Sequence, residues 1–201
     1  MHSPLLPKSS ENPSVQQRMQ KFIDDQQACR CTGVCRCIFG EHDFVILVQG
    51  KGVILVEIKA AARKKDEGIK QLNRMHEIVN IFFNAVLLEA QDASMPEWID
   101  LPVIKVICCP QVETTTRKHP DGKHPTTGIW HLHKDAINNF QRHWSEIYQD
   151  LRCQQQQYKI DDYFSRFSNL MVGLWAMQSA NGLTPYKGNF QFIHSSQCFS
   201  Y

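Results

Sequence analysis

The stretch that decides the fold is Gly40–Leu72, GEHDFVILVQGKGVILVEIKAAARKKDEGIKQL. Two apolar, β-branched runs flank Gly50-Lys51-Gly52, so residues 43–49 and 53–59 read as the strands of a hairpin. Charges stand where burial is expected: Asp43 opens the first run, and Glu57 and Lys59 close the second. The loop length decides whether they meet. A two-residue loop, Gly50-Lys51, pairs Gln49 with Gly52 and turns Asp43 away from Glu57 and Lys59. A three-residue loop, Gly50-Lys51-Gly52, pairs Gln49 with Val53 and puts Gly52 at the third loop position, where a left-handed glycine is favoured. That register sets Asp43 opposite Lys59 and diagonal to Glu57. Side chains alternate between faces along a strand. Asp43, Val45, Leu47, Val53, Leu55, Glu57 and Lys59 then share one face, and Phe44, Ile46, Val48, Ile54, Val56 and Ile58 the other. Both faces are apolar except at one end, the pattern of a sheet covered on both sides.

Working outward, residues 66–90 read as a long amphipathic helix, with Ile69, Leu72, Met75, Ile78 or Val79, Phe82 and Val86 recurring every three or four positions. Upstream, residues 14–28 read as a helix with Ser14 as its N-cap. Downstream, LPVIKVICCP is a buried strand stopped by Pro110, and TTTRKHPDGKHPTTG is a loop. GIWHLH is a short strand, and helices follow over roughly 135–156 and 163–180. The order α, β-hairpin, α, β, β, α, α predicts an α/β fold, a mixed central sheet flanked by helices. Residues 1–13 read as a flexible leader, 14–180 as the folded domain, and 181–201 as a tail or linker.

The chemistry of the polar end follows from its residue types. Two carboxylates a few ångströms apart resist ionising together. A divalent cation between them removes that penalty, and hard oxygen donors suit Mg²⁺ or Mn²⁺. Such an ion polarises a phosphoryl oxygen and acidifies bound water. A lysine on the same face can orient or deprotonate that water, or stabilise a pentavalent phosphorane. Asp, then Glu-x-Lys, on a hairpin is therefore a compact metal-dependent phosphodiesterase site. The plainer reading is a sheet edge with a solvated Asp–Lys cross-strand pair, worth well under about 1 kcal/mol.

EHDFVILVQGKGVILVEIK resembles the core of the PD-(D/E)XK, restriction-endonuclease-like nuclease superfamily, and within it most closely the NERD (nuclease-related) branch. The resemblance spans residues 38–80 and implies a restriction-endonuclease-like fold. It implies that Asp43 and Glu57 hold the metal, that Lys59 is the catalytic lysine, and that Gln71 supports the site. The upstream acid of the family has no secure match; Glu41 is taken as an accessory acid, with Glu11 as a weaker candidate. The implied activity is nuclease cleavage of DNA, ahead of RNA. The alternative is a decayed nuclease-like module that binds nucleic acid or a protein partner, as an accessory to a larger NTPase or helicase assembly. The chain has no P-loop of its own.

Arg63, Lys64 and Lys65 follow the site directly, and Lys70 and Arg74 lie one and two turns on. A basic run is ordinarily a solvated helix start; beside a phosphodiester-cleaving site it would also clamp phosphates. Arg117, Lys118 and Lys123 could extend that clamp. Cys29, Cys31, Cys35 and Cys37 could gather a structural Zn²⁺ about a Thr32-Gly33-Val34 turn, but paired C-x-C spacing is not the usual zinc pattern, and small residues at a strand edge is the preferred reading. His131 and His133 share a strand face and could form a metal pair; with His119 and His124 they are read instead as surface histidines. Trp130, Trp144 and Trp175 are read as core or partner-facing.

The whole chain has 201 residues, 42% hydrophobic and 21% charged, with a net charge of +2. That composition fits a globular protein, and any nucleic-acid surface must be a local patch. The N-terminus lacks the apolar segment of a signal peptide, and no run reaches the roughly 18 apolar residues of a membrane span. The eight cysteines are then expected as thiols in the cytoplasm or nucleus, an intracellular setting with no membrane partner.

Overall fold

The computed structural model describes residues 14–28, 43–90, 96, 98–113, 121–154, 160–180 and 191–193. The first helix, α1 (Val15–Ala28), opens on a reciprocal capping box. Ser14 N–H donates to Gln17 Oε1 at 2.9 Å, and Gln17 N–H donates to Ser14 Oγ at 3.3 Å. The hairpin follows as β1 (Phe44–Val48) and β2 (Gly52–Ile58). A 3-10 turn over Ala62–Lys64 leads into α2 (Lys65–Ala90), whose first turn carries Asp66 and Glu67 where the helix dipole favours acids. Then come β3 (Val103–Cys109), the two-residue β4 (Gly122–Lys123) and β5 (Trp130–His133). The chain continues through α3 (Lys134–Asn138), α4 (Phe140–Cys153), α5 (Asp161–Ala180) and β6 (Gln191–Ile193).

The strands form one mixed sheet in the order β4-β5-β3-β2-β1-β6. β1 and β2 are antiparallel, while β3 is parallel to β2 and β5 parallel to β3. β6 runs parallel to β1 at the opposite edge, so the segment read as a tail or linker supplies a strand. The helix expected over 135–156 is broken at Asn139, which leaves helical geometry (φ −110°, ψ 36°). Its side-chain amide donates to Asp135 O at 3.1 Å, and its carbonyl accepts Arg142 N–H at 3.1 Å, ending one helix and starting the next.

Helices cover both faces, as the hairpin pattern predicts. On one side Val45, Leu47, Val53, Leu55 and Ile107 pack under α2 (Leu72, Met75, Val79, Phe83) and α5 (Phe164, Phe167, Met171). On the other, Val48, Ile54, Ile104, Val106, Trp130 and Leu132 pack under Ala136, Ile147 and Leu151 of α3 and α4. Trp130 is thus a core residue and Trp144 packs against its cluster, as read from the sequence; the Trp175 side chain is outside the described set. No helix among the described residues is long and apolar enough to cross a membrane.

The hairpin register differs from the expected one by two residues. Val48 pairs with Gly52 and Phe44 with Val56, so the loop is Gln49-Gly50-Lys51. Lys51 N–H donates to Val48 O at 2.9 Å, and Gly50, with φ +62°, takes the left-handed position of that turn. Gly52 belongs to the strand. Its φ of +143° and its place against Pro102 both demand glycine, because a Cβ there would run into the Pro102 carbonyl.

Candidate active site

The ladder ends at Phe44↔Val56 rather than running on to pair Asp43 with Lys59. A slip of two residues preserves the parity of the pairing, and Lys59 lies on the α2 side of the sheet, against Gly68. Asp43 stands in the bend before β1, and its Oδ2 accepts the Ile58 N–H at 2.6 Å, tying the start of β1 to the end of β2. Glu57 is 2% exposed, and Lys59 Nζ donates to its Oε1 at 2.6 Å. The Lys59 backbone N–H donates to Cys108 O at 2.8 Å, fixing where the lysine leaves the sheet. The solvated edge pair considered from sequence is therefore replaced by a largely buried pair within Glu57-x-Lys59.

The first turns of α2 lie over this end. Gly68 is buried against Lys59 and Ile107, and Gln71 stands three residues further along the same side of the helix, half-buried with its amide oxygen shielded from solvent. Sequence reading singled out Gln71 and not Gly68. The available signal was an isolated glycine within a helical pattern, which asks for a packing reason. Glu41, Glu11, Cys29, Cys31, Cys35 and Cys37 lie outside the described residues, as do Arg117, Lys118 and His119.

Of the expected phosphate clamp, Arg63, Lys64, Lys70 and Arg74 are exposed. Lys65 is half-buried: burial lowers its pKa, while the nearby Cys109 thiol and the Asp66 carboxylate pull the other way. Lys123, read as an extension of the clamp, is exposed and ion-paired. It donates to Asp150 Oδ1 at 2.8 Å, and Asp150 Oδ2 also accepts Trp130 Nε1–H at 2.9 Å.

The surface reading of His131 and His133 is also corrected. They occupy β5, the strand read from GIWHLH, and are 5% and 1% exposed respectively. His133 donates its backbone N–H to Asp121 Oδ1 at 2.7 Å, and its Nδ1 lies 3.0 Å from the same oxygen. His131 stacks on His124 with centroids 5.5 Å apart. Among the described residues no group of three or more His, Cys, Asp or Glu side chains is arranged to hold a metal.

At the same end of β3, burial first, then Cys109 and the Asp43 carboxylate, push the Cys108 thiol up to about 12. Burial also raises the Cys109 thiol, against the opposing Lys65 charge. Since the thiolate is the reactive form, iodoacetamide at about pH 8 is expected to leave both unmodified in the folded protein and to label both after unfolding. Peptide mapping checks this.

Comparison of the chain with protein-family models, with curated proteins and with solved structures gives no match in any of the three. The α/β architecture and the Asp43/Glu57/Lys59 end of the sheet are thus the basis for any functional reading.

Proposed function

We propose that this chain is a metal-dependent nuclease with a restriction-endonuclease-like fold, cutting phosphodiester bonds in DNA ahead of RNA. The observation that carries the reading is the end of β2 where Lys59 Nζ is held 2.6 Å from Glu57 Oε1 and Asp43 Oδ2 accepts the adjoining Ile58 N–H at 2.6 Å. A hairpin, a covering helix with Gln71, and a following parallel strand are in keeping with that fold.

The donor set fits Mg²⁺ or Mn²⁺: two carboxylates, Asp43 and Glu57, are the hard oxygen ligands such ions take, and Mg²⁺ usually keeps several waters beside one or two carboxylates. When bound, the ion supplies Lewis acidity toward a phosphoryl oxygen and lowers the pKa of coordinated water. Lys59 orients the attacking water and offsets charge developing on the phosphorus-bound oxygens. Gln71 orients groups from above, and exposed Arg63, Lys64, Lys70 and Arg74 take the neighbouring phosphates. Lys65, turned partly inward, contributes field more than contact.

The test is nicking of supercoiled plasmid by the purified protein in Mn²⁺. Asp43→Ala and Lys59→Ala are each expected to reduce the rate by about 100-fold or more while the circular dichroism spectrum is retained. Activity that survives both substitutions would come from elsewhere and would sink the reading.

A second reading has its own observation. Both acids already have structural partners: Asp43 accepts the Ile58 N–H, and Glu57 is paired with Lys59. That suits a decayed module which binds nucleic acid or a protein, as an accessory to a larger NTPase or helicase assembly. Inactivity with every metal and substrate, together with retained DNA binding that weakens with salt, would favour it.

A further inference from the structure

We propose that Gly68 is the positioning residue for Lys59: the side chain missing from α2 is the slot through which the lysine stem reaches Glu57. A Cβ built on Gly68 would stand 3.1 Å from Lys59 Cε, 3.2 Å from Lys59 Cγ and 2.9 Å from Ile107 Cδ1. Two of the three nearest atoms belong to Lys59, and they lie on both sides of its Cδ. The helix backbone therefore rests along the stem, and the ammonium emerges beyond it to donate to Glu57 Oε1 at 2.6 Å.

The glycine has no conformational reason to be there. It is the fourth residue of a 26-residue helix, and its φ is not among the positive values found at Gly50, Gly52, Gly122 and Gly128. In a helix interior alanine is the better former by about 1 kcal/mol. Space is what glycine supplies. A methyl group would press the stem away from the helix by a few tenths of an ångström at two carbons. It would swing the ammonium at the end of that lever off a partner it now meets at hydrogen-bond distance. The geometric part stands without any enzymatic assumption. The catalytic consequence rests on the nuclease reading.

The experiment uses the full chain with ¹⁵N-labelled lysine. The Lys59 ammonium resonance, assigned by its loss in Lys59→Met, reports the ion pair directly. It is expected to be sharp in the native protein and shifted or lost in Gly68→Ala. Because the Ile107 contact could itself disturb packing, Gly68→Ala/Ile107→Val is made as well; it removes the Cδ1 atom and leaves the Lys59 contacts crowded. The pair is expected to remain broken in that double variant while the fold is normal. An unchanged Lys59 resonance in either variant, or its restoration by Ile107→Val, would overturn the proposal. Where the native protein cuts DNA, Gly68→Ala/Ile107→Val should lower kcat at least tenfold with KM within about twofold, since the exposed phosphate contacts are untouched. An equal loss in both parameters, or none, would overturn the catalytic part. If the native protein is inactive the nuclease reading fails, and the resonance alone decides the fate of Gly68.

Discussion

Replacing Lys59 by methionine is expected to destabilise the protein by about 3 kcal/mol at neutral pH, and adding Glu57→Gln to that variant should recover most of the loss. Glu57 is 2% exposed and the Lys59 side chain 14% exposed, so water can do little for a carboxylate whose cation has gone. Breaking a buried pair by removing one partner typically costs about 3–5 kcal/mol; the residual exposure of Lys59 puts this pair at the low end. Removing both charges leaves neutral groups of similar shape, which is often nearly free. Urea denaturation of the wild type, both single variants and the double variant measures the coupling. Additive losses would mean that the 2.6 Å contact contributes nothing. The same variants test the metal without reference to activity. In Lys59→Met a divalent cation can take over the neutralisation of Glu57. Millimolar Mn²⁺ should then raise the melting temperature more than it does in the wild type, with about 2.7 kcal/mol available at a hundredfold excess over Kd. Asp43→Asn in that background should remove the gain. Equal stabilisation of all variants would separate Asp43 and Glu57 from any shared ion.

The way the hairpin register departs from expectation explains what the sequence could convey. Alternation of apolar and polar residues has a period of two, so it fixes the parity of a pairing and nothing finer. Asp43, Glu57 and Lys59 were legible as neighbours at one end of the hairpin because a two-residue slip leaves them there. Which of them oppose each other depended on assigning one glycine to the loop. Gly52 looked like the loop residue because glycine is favoured there. Its actual constraint is the approach of Pro102, fifty positions away in sequence and one residue before β3, and no local pattern reports that. Gly68 was hidden in the same way: the atoms that need its space belong to Lys59 and Ile107. The two histidines of β5 were placed on a strand but taken for surface residues, because nothing local reports that β5 pairs with β3 (Ile107↔His131, Cys109↔His133). Helix periodicity did better, since the stripe Leu72, Met75, Val79 and Val86 is local information. Two polar members of that buried surface, Asn80 and Asn84, lie outside the apolar stripe and so carry no such signal.

Those asparagines carry the other large expected effect. Asn84→Leu should destabilise the protein by about 3–4 kcal/mol, a fall in melting temperature on the order of 10 °C for a chain of this size. Asn84 is 1% exposed and uses both ends of its amide. Its Oδ1 accepts the Ile99 N–H at 2.7 Å, and its Nδ2 donates to Ile99 O and to Asn80 O, each at 2.8 Å. Leucine fills the space but leaves the buried Ile99 donor and acceptor without this partner, and each such group costs about 1–3 kcal/mol. Asn80→Leu should cost less, about 1–2 kcal/mol, because the contact it removes is a single bond from Leu101 N–H to Asn80 Oδ1 at 2.8 Å. The pair matters beyond its own bonds. It clamps residues 99–101 to α2 just before Pro102, whose carbonyl accepts the Val53 N–H at 2.9 Å and begins the β2–β3 ladder. That ladder runs on to Glu57 beside Ile107, so the asparagines set, from some distance, the strand that backs the candidate site. Chemical denaturation of the two variants checks the ranking. An Asn84→Leu loss below about 1 kcal/mol would show that water or a shifted backbone satisfies Ile99 instead, and that the clamp is not what registers β3 against β2.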